Sequence, residues 1–162
     1  MSGTKKVSRP AHVQHFINLH VHDARFVSCT SSIPVSVILA QSGLETGWGR
    51  YVKDGCYFGI KGKSPNNKSV TFTTHEDTSN GRLAIKDTFR AYSSFLDAAK
   101  DYANVIRKNY AAALVHKNDP LKFIEHLKRY ATLPTYTKTL KAIIIDQNLE
   151  VYDNKTCKGV GK

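Results

Sequence analysis

Acidic residues are scarce in this chain: 13 Asp and Glu stand against 24 Lys and Arg, a formal charge of +11 over 162 residues. That surplus favours an anionic partner such as nucleic acid, acidic lipid or an acidic cell-wall polymer. Blocks of five or more like charges are absent, which argues against a dedicated nucleic-acid arm. Long apolar runs are missing as well. No stretch approaches the ~20 residues that span a bilayer, so membrane insertion is not expected. The opening MSGTKKVSRPAHVQ has basic residues with no apolar core behind them, which does not fit a secretory signal. There is no Gly-rich phosphate loop, no internal repeat and no low-complexity tract. Cys29, Cys56 and Cys157 are odd in number and widely spaced, which excludes a zinc pattern and a multi-disulfide framework. At most one intramolecular bridge is available. Cys29–Cys56, flanking one helix, is the pair expected if a bridge forms, with buried free thiols the alternative.

What remains is an ordinary globular composition, 41% hydrophobic and 23% charged. Its length suits one domain with a core that needs no staples. Residues 11–28 place Val13, Phe16, Ile17, His20, Ala24 and Val27 at helical spacing. Pro34 fits the first turn of a second helix. Residues 50–68 form a loop broken by Tyr57-Phe58-Gly59-Ile60. From Ser69 the period changes to two, with Asn80-Gly81 as a hairpin turn. Helices resume after Ser94, which has capping-box spacing to Asp97, then after Asp119-Pro120, and again from Pro134. The expected class is α+β, a mostly helical lobe carrying a small β-hairpin lobe. The domain is expected over residues 1–153, with 154–162 a polar, flexible tail.

The second helix, within PVSVILAQSGLETGWG, carries the chemistry. It is mostly apolar and therefore buried, yet it ends in a lone carboxylate, Glu45. Desolvation and the negative end of the helix dipole both disfavour the ionised form. An acid that holds its proton near neutral pH is the result. Gly47-Trp48-Gly49 breaks the helix and places an aromatic surface beside the acid, as a sugar site requires, and Gln41 lies one turn back on the same face. A second acid, Glu76, sits near the tip of the first hairpin strand. Glycosidases generally pair two carboxylates, about 5–5.5 Å apart for retention and about 6.5–9.5 Å for inversion. Aromatics are plentiful, among them Trp48, Tyr57, Phe58, Tyr130 and Tyr136. The histidines His12, His15, His20 and His22 share no face with a carboxylate, so no metal is expected, and Cys56 lacks a His–Asp partner in sequence. No cofactor is expected.

AQSGLETGWGR followed by YFGIKGK, VTFTTHEDTSNGRL, FRAYSSFLDAAKDYANVI and YATLPTYTKTLKAII, in that order over residues 11–150, resembles the glycoside hydrolase family 73 glucosaminidases. The resemblance implies a lysozyme-like fold and cleavage of the β-1,4 bond after N-acetylglucosamine in peptidoglycan. It implies Glu45 as general acid and Glu76 as a second carboxylate proposed as base. Gln41, Trp48, Phe58, Tyr130 and Tyr136 become candidate substrate-binding residues. Tyr130 matches the tyrosine of the family's YATDP stretch, with Tyr136 the alternative. The chain departs from the pattern at Leu133, at Cys56-Tyr57 and at Thr137. Inversion through Glu76 competes with attack by the sugar's own acetamido group. The expected partner is anionic peptidoglycan, not nucleic acid. An antibacterial effector, exported by a non-Sec route and active as a monomer in the periplasm of a target bacterium, is expected, with an acidic immunity protein blocking its cleft. A phage lysin, a lytic transglycosylase, a peptidoglycan-binding module and a basic nucleic-acid binder are the alternatives.

Overall fold

The amino-terminal helical stripe folds as α1, Ala11–Ser31, with Val13, Phe16, Ile17, Ala24 and Val27 buried. It ends at Ser32, whose left-handed backbone lets its N–H close on Ser28 O at 2.9 Å. Pro34 then stands at the N-cap of α2, Val35–Thr46, one position before the first turn. Its ring presets φ, and its carbonyl accepts from the N–H groups of Val37 and Ile38 at 3.1 and 3.2 Å. The N–H of Ser36 and its Oγ both donate to Asp153, at 2.8 and 2.6 Å, which satisfies an otherwise unpaired donor of the first turn.

α2 is the axis of the molecule. Val37, Ile38, Leu39, Ala40 and Gln41 have no accessible surface. A helix apolar on all sides must be enclosed, and α1, two later helices and a 3-10 turn at Leu149–Tyr152 pack around it. Those helices are α4, Pro120–Glu125, and α5, Tyr136–Asp146, whose buried face is Tyr136, Leu140 and Ile144. Between α2 and α4 comes α3, Phe95–Asn109, which packs on α1. The caps follow the expected chemistry. Ser94 Oγ accepts from the Asp97 N–H at 3.1 Å, and Asp119 Oδ1 accepts from Lys122 N–H at 3.2 Å.

The change of period at Ser69 marks a two-stranded antiparallel sheet, β1 (Ser69–Thr78) and β2 (Gly81–Arg90). The register runs from Ser69 opposite Arg90 to Thr78 opposite Gly81, so the two-residue turn is Ser79-Asn80, one residue earlier than Asn80-Gly81. Gly81 closes it with φ near +107°, a conformation natural only to glycine. Among the described side chains of the hairpin only Val70 is buried, and Leu83 is well exposed. The hairpin is held at its base. Arg90 N–H donates to Ile60 O at 2.7 Å, and its guanidinium meets the buried Asp101 of α3 at 3.0 Å. Tyr92 Oη donates to the same carboxylate.

The structure, a computed structural model, describes residues 8–153 and Cys157, with only the backbone of Thr74, Glu76 and Asp77. The class is α+β, a helical body with one hairpin. The cysteine expectation is corrected: Cys29 bonds to Cys157, and Cys56 is a free thiol. Cys29 lies near the end of α1, on the side of the body where the chain returns after the 3-10 turn at Leu149–Tyr152. Cys56 is drawn instead into the loop beside Gly59. The tail expected at 154–162 lies outside the described residues except for Cys157, which the bond ties to α1.

Candidate active site

α2 ends in a tight reversal. Gly47 is left-handed, and the N–H groups of Gly47 and Trp48 both return to Gly43 O. This leaves Glu45 on the last turn, facing the loop 56–59 from one side and α5 from the other. A Cβ on Gly59 would stand 2.6 Å from Glu45 Oε2, and Gly59 has φ near +62°. The left-handed backbone favours glycine there, and any Cβ would displace the Glu45 carboxyl. On the α5 side Tyr136 Oη donates to Glu45 Oε1 at 3.3 Å.

Glu45 is an exposed residue, but its carboxyl lies against Gly59 on one side and the Tyr136 hydroxyl on another. The open side can touch a substrate, while the protein on the others denies the acid a full hydration shell. Burial therefore pushes its pKa above the ordinary carboxylate range, opposed in part by the Tyr136 hydrogen bond. Among the described residues Glu45 belongs to no ion pair. The direction matches the expectation from the helix end, with desolvation as the leading cause.

Behind the acid lies a buried polar chain. Gln41 has no accessible surface; its Nε2 donates to Tyr136 Oη at 3.0 Å, and its Oε1 accepts from Tyr102 Oη. Burial, reinforced by Glu45 when that acid is ionised, raises the Tyr136 phenol, so it stays protonated and able to donate. Tyr130 lies parallel to Tyr136, centroids 5.9 Å apart, and its own hydroxyl donates to Phe58 O at 2.7 Å. The pair divides the work: Tyr136 touches the acid, and Tyr130 pins the strip that carries Gly59.

Several expected substrate-binding residues are placed elsewhere. Phe58 is 1% exposed, stacked on Tyr102 at 4.3 Å, and offers no face to a ligand. Gln41 is likewise sealed from solvent and supports the site from behind. Trp48 turns toward α1, edge-on to Phe16 at 5.6 Å, because glycine at position 43 lets the indole lie against α2. It lines a groove of about 280 Å³ with His12, His15, His20 and Tyr57, of which Glu45 is not a wall. The backbone of Glu76 pairs with Leu83, three rungs from the turn. Its carboxylate, and hence its distance from Glu45, lies outside the described residues. Among the described residues no cluster of three His, Cys, Asp or Glu could hold a metal.

Sequence reasoning missed the parts played by Tyr102 and Gly59. Nothing in spacing tells that the Tyr102 hydroxyl meets Gln41, 61 residues away. Gly59 was one glycine among several, though its place in the YFGIKG motif was the available signal. Cys56 sits close enough to Glu45 that the carboxylate helps to raise its thiol, after burial.

The sequence profile of the Glucosaminidase family, described as mannosyl-glycoprotein endo-beta-N-acetylglucosaminidase, matches residues 22–149. The chain is 34% identical over 146 residues to the peptidoglycan hydrolase FlgJ of Salmonella typhimurium, covering 83% of this chain and 46% of that protein. It is 30% identical over 150 residues to an autolysin of Enterococcus faecalis, covering 84% of this chain and 20% of that one. The chain thus spans about half the length of the FlgJ relatives it matches, and less of the autolysin. Among solved structures, the catalytic domain of the autolysin Auto from Listeria monocytogenes superposes with a TM-score of 0.77 at 31% identity, covering 94% of this chain and 93% of that one. The glycoside hydrolase domain of Salmonella typhimurium FlgJ gives 0.66 at 28% identity, covering 86% and 98%.

Proposed function

The chain belongs to the glucosaminidase family of glycoside hydrolases, and from that premise we propose that it hydrolyses the β-1,4 bond after N-acetylglucosamine in peptidoglycan with Glu45 as general acid. The observation that carries the reading is the setting of Glu45. Its carboxyl, exposed on one side and met by a donor from Tyr136, has its pKa pushed upward by burial. The acid gives its proton to the glycosidic oxygen as the C1–O bond breaks, and Tyr136 stabilises the carboxylate left behind. Positive charge developing at C1 is then met by water activated by Glu76, giving inversion. The competing route is attack by the sugar's own acetamido oxygen, followed by water.

The partner is the anionic wall. A charge of +11 draws the enzyme to peptidoglycan and its attached polymers, most strongly at low salt. The Cys29–Cys157 bond supports action in an oxidising compartment, such as the periplasm or the cell exterior. The finer reading, an antibacterial effector active as a monomer and held in check by an acidic immunity protein that plugs the cleft, draws its support from the same charge. Capture of a tight acidic inhibitor from the producing cell supports it; a producing cell with no such inhibitor speaks against it.

The test is a digest of purified peptidoglycan, with reduction of the products and mass spectrometry. Fragments with N-acetylglucosamine at the reducing end are expected. Anhydro-muramic ends would assign a lytic transglycosylase instead. Binding without cleavage would assign a wall-binding module, and tight, salt-sensitive DNA binding without cleavage a nucleic-acid binder.

A further inference from the structure

A carboxamide has one accepting end and one donating end, whereas a phenol can do either. An ionised carboxylate only accepts, so when Glu45 is ionised Tyr136 must donate to it and is free to receive the N–H of Gln41. Gln41 Oε1 accepts from Tyr102, which turns Nε2 toward Tyr136 at 3.0 Å. Tyr136 Oη receives that N–H, so its own proton is left to point at Glu45 Oε1, 3.3 Å away. Were the amide reversed, its oxygen would take the Tyr136 proton, and Glu45 would lose its donor. The hydroxyl would then accept from the acid.

We propose that Gln41 and Tyr102 are positioning residues: with Oε1 held by Tyr102 and Nε2 on Tyr136, the amide keeps the Tyr136 hydroxyl oriented as the donor to the acid. Two consequences follow for the reaction. With Oε1 occupied by the Tyr136 proton, the acidic proton of Glu45 resides on Oε2, the oxygen beside Gly59. The Tyr136 hydrogen bond also strengthens as Glu45 releases its proton and becomes a carboxylate, so it favours the transition state over the ground state. Neither Gln41 nor Tyr102 has accessible surface, so neither touches substrate. Their effect reaches the acid only through Tyr136.

The other groups facing Glu45 do not compete for this role. Tyr130, from the segment before α5, gives its proton to Phe58 O, and Cys56, from the loop, is a thiol whose pKa is raised by burial. Among the described residues no cation pairs with the acid. Tyr136 is therefore the group through which a buried change can alter the acid.

The inference rests on the reading of Glu45 as general acid, and the experiment separates the two. Rates on solubilised peptidoglycan are measured against pH for the wild type, Gln41→Met, Tyr102→Phe and Glu45→Gln. Tyr102→Phe removes one oxygen and keeps the ring stacked on Phe58. Both Gln41→Met and Tyr102→Phe are expected to lower kcat about tenfold or more with KM unchanged. Both are also expected to move the basic limb of the profile up by about one pH unit, because the ionised acid has lost a donor. A lower rate on an unmoved profile, or an unchanged rate, overturns the proposal. Should Gln41→Met fail to fold, the Tyr102→Phe profile decides alone. An active Glu45→Gln would instead overturn the reading beneath it.

Discussion

The hydroxyl of Tyr136 lies 3.3 Å from Oε1 of Glu45, joining the first turn of α5 to the last turn of α2 across 91 residues of sequence. A donor at that distance favours the ionised acid, while burial favours the protonated one, and burial prevails. Replacing Tyr136 by Phe removes the opposing effect, so the basic limb of the pH–rate profile should move upward as kcat falls. Tyr130→Phe cuts a bond to Phe58 O instead, at a cost of about 1 kcal/mol of stability, and should leave the pH limb in place. Parallel profiles and thermal melts of the two variants check the contrast.

Gly59 stands against the other oxygen of the same carboxyl. Alanine there carries the cost of a left-handed conformation, about 1–2 kcal/mol, and drives a methyl toward Glu45 Oε2. Activity should fall by about 100-fold, the loss expected for a shift of about 1 Å in a catalytic group. A folded Gly59→Ala with wild-type kcat would show that the approach is incidental.

The Cys29–Cys157 bond closes a sequence separation of 128 residues. On the chain-entropy account such a crosslink stabilises the fold by about 4–5 kcal/mol. Cys157→Ser, or reduction of the wild type, should therefore lower the melting temperature sharply. Cys56→Ser, at the free thiol, should not abolish that response to reductant. Unchanged melting in reductant would contradict the assignment.

His20 stacks on Phe95 at 4.2 Å, and burial lowers its pKa to about 4 from an ordinary 6.5. The unfolded chain takes up a proton below about pH 6.5 while the folded protein refuses it until about 4. His20 therefore contributes stability above pH 6.5 that is lost as the pH falls through that window. Chemical denaturation at pH 7 and pH 4.5 should show a larger drop for the wild type than for His20→Phe.

Helix periods, caps and the hairpin were legible because they are local. Ser94 and Asp119 cap where their spacing says they should, and the lone acid on an apolar helix was visible as a functional anomaly. What distance in sequence conceals is partnership. Phe58 reads as a sugar platform until Tyr102 is found stacked on it, and Trp48 until glycine at 43 lets it lie back toward α1. Cys157 stands in a polar tail with nothing nearby to name Cys29 as its partner. The resemblance put Tyr130 first and Tyr136 second; the distances give Tyr136 to the carboxylate and Tyr130 to the loop.

The central claim is that Glu45 supplies the proton that breaks the glycosidic bond. Turbidity clearing of purified cell walls by Glu45→Gln, measured beside wall binding by co-sedimentation, tests it most directly. The account predicts wild-type binding with clearing reduced by at least about 100-fold. Clearing at the wild-type rate would contradict it.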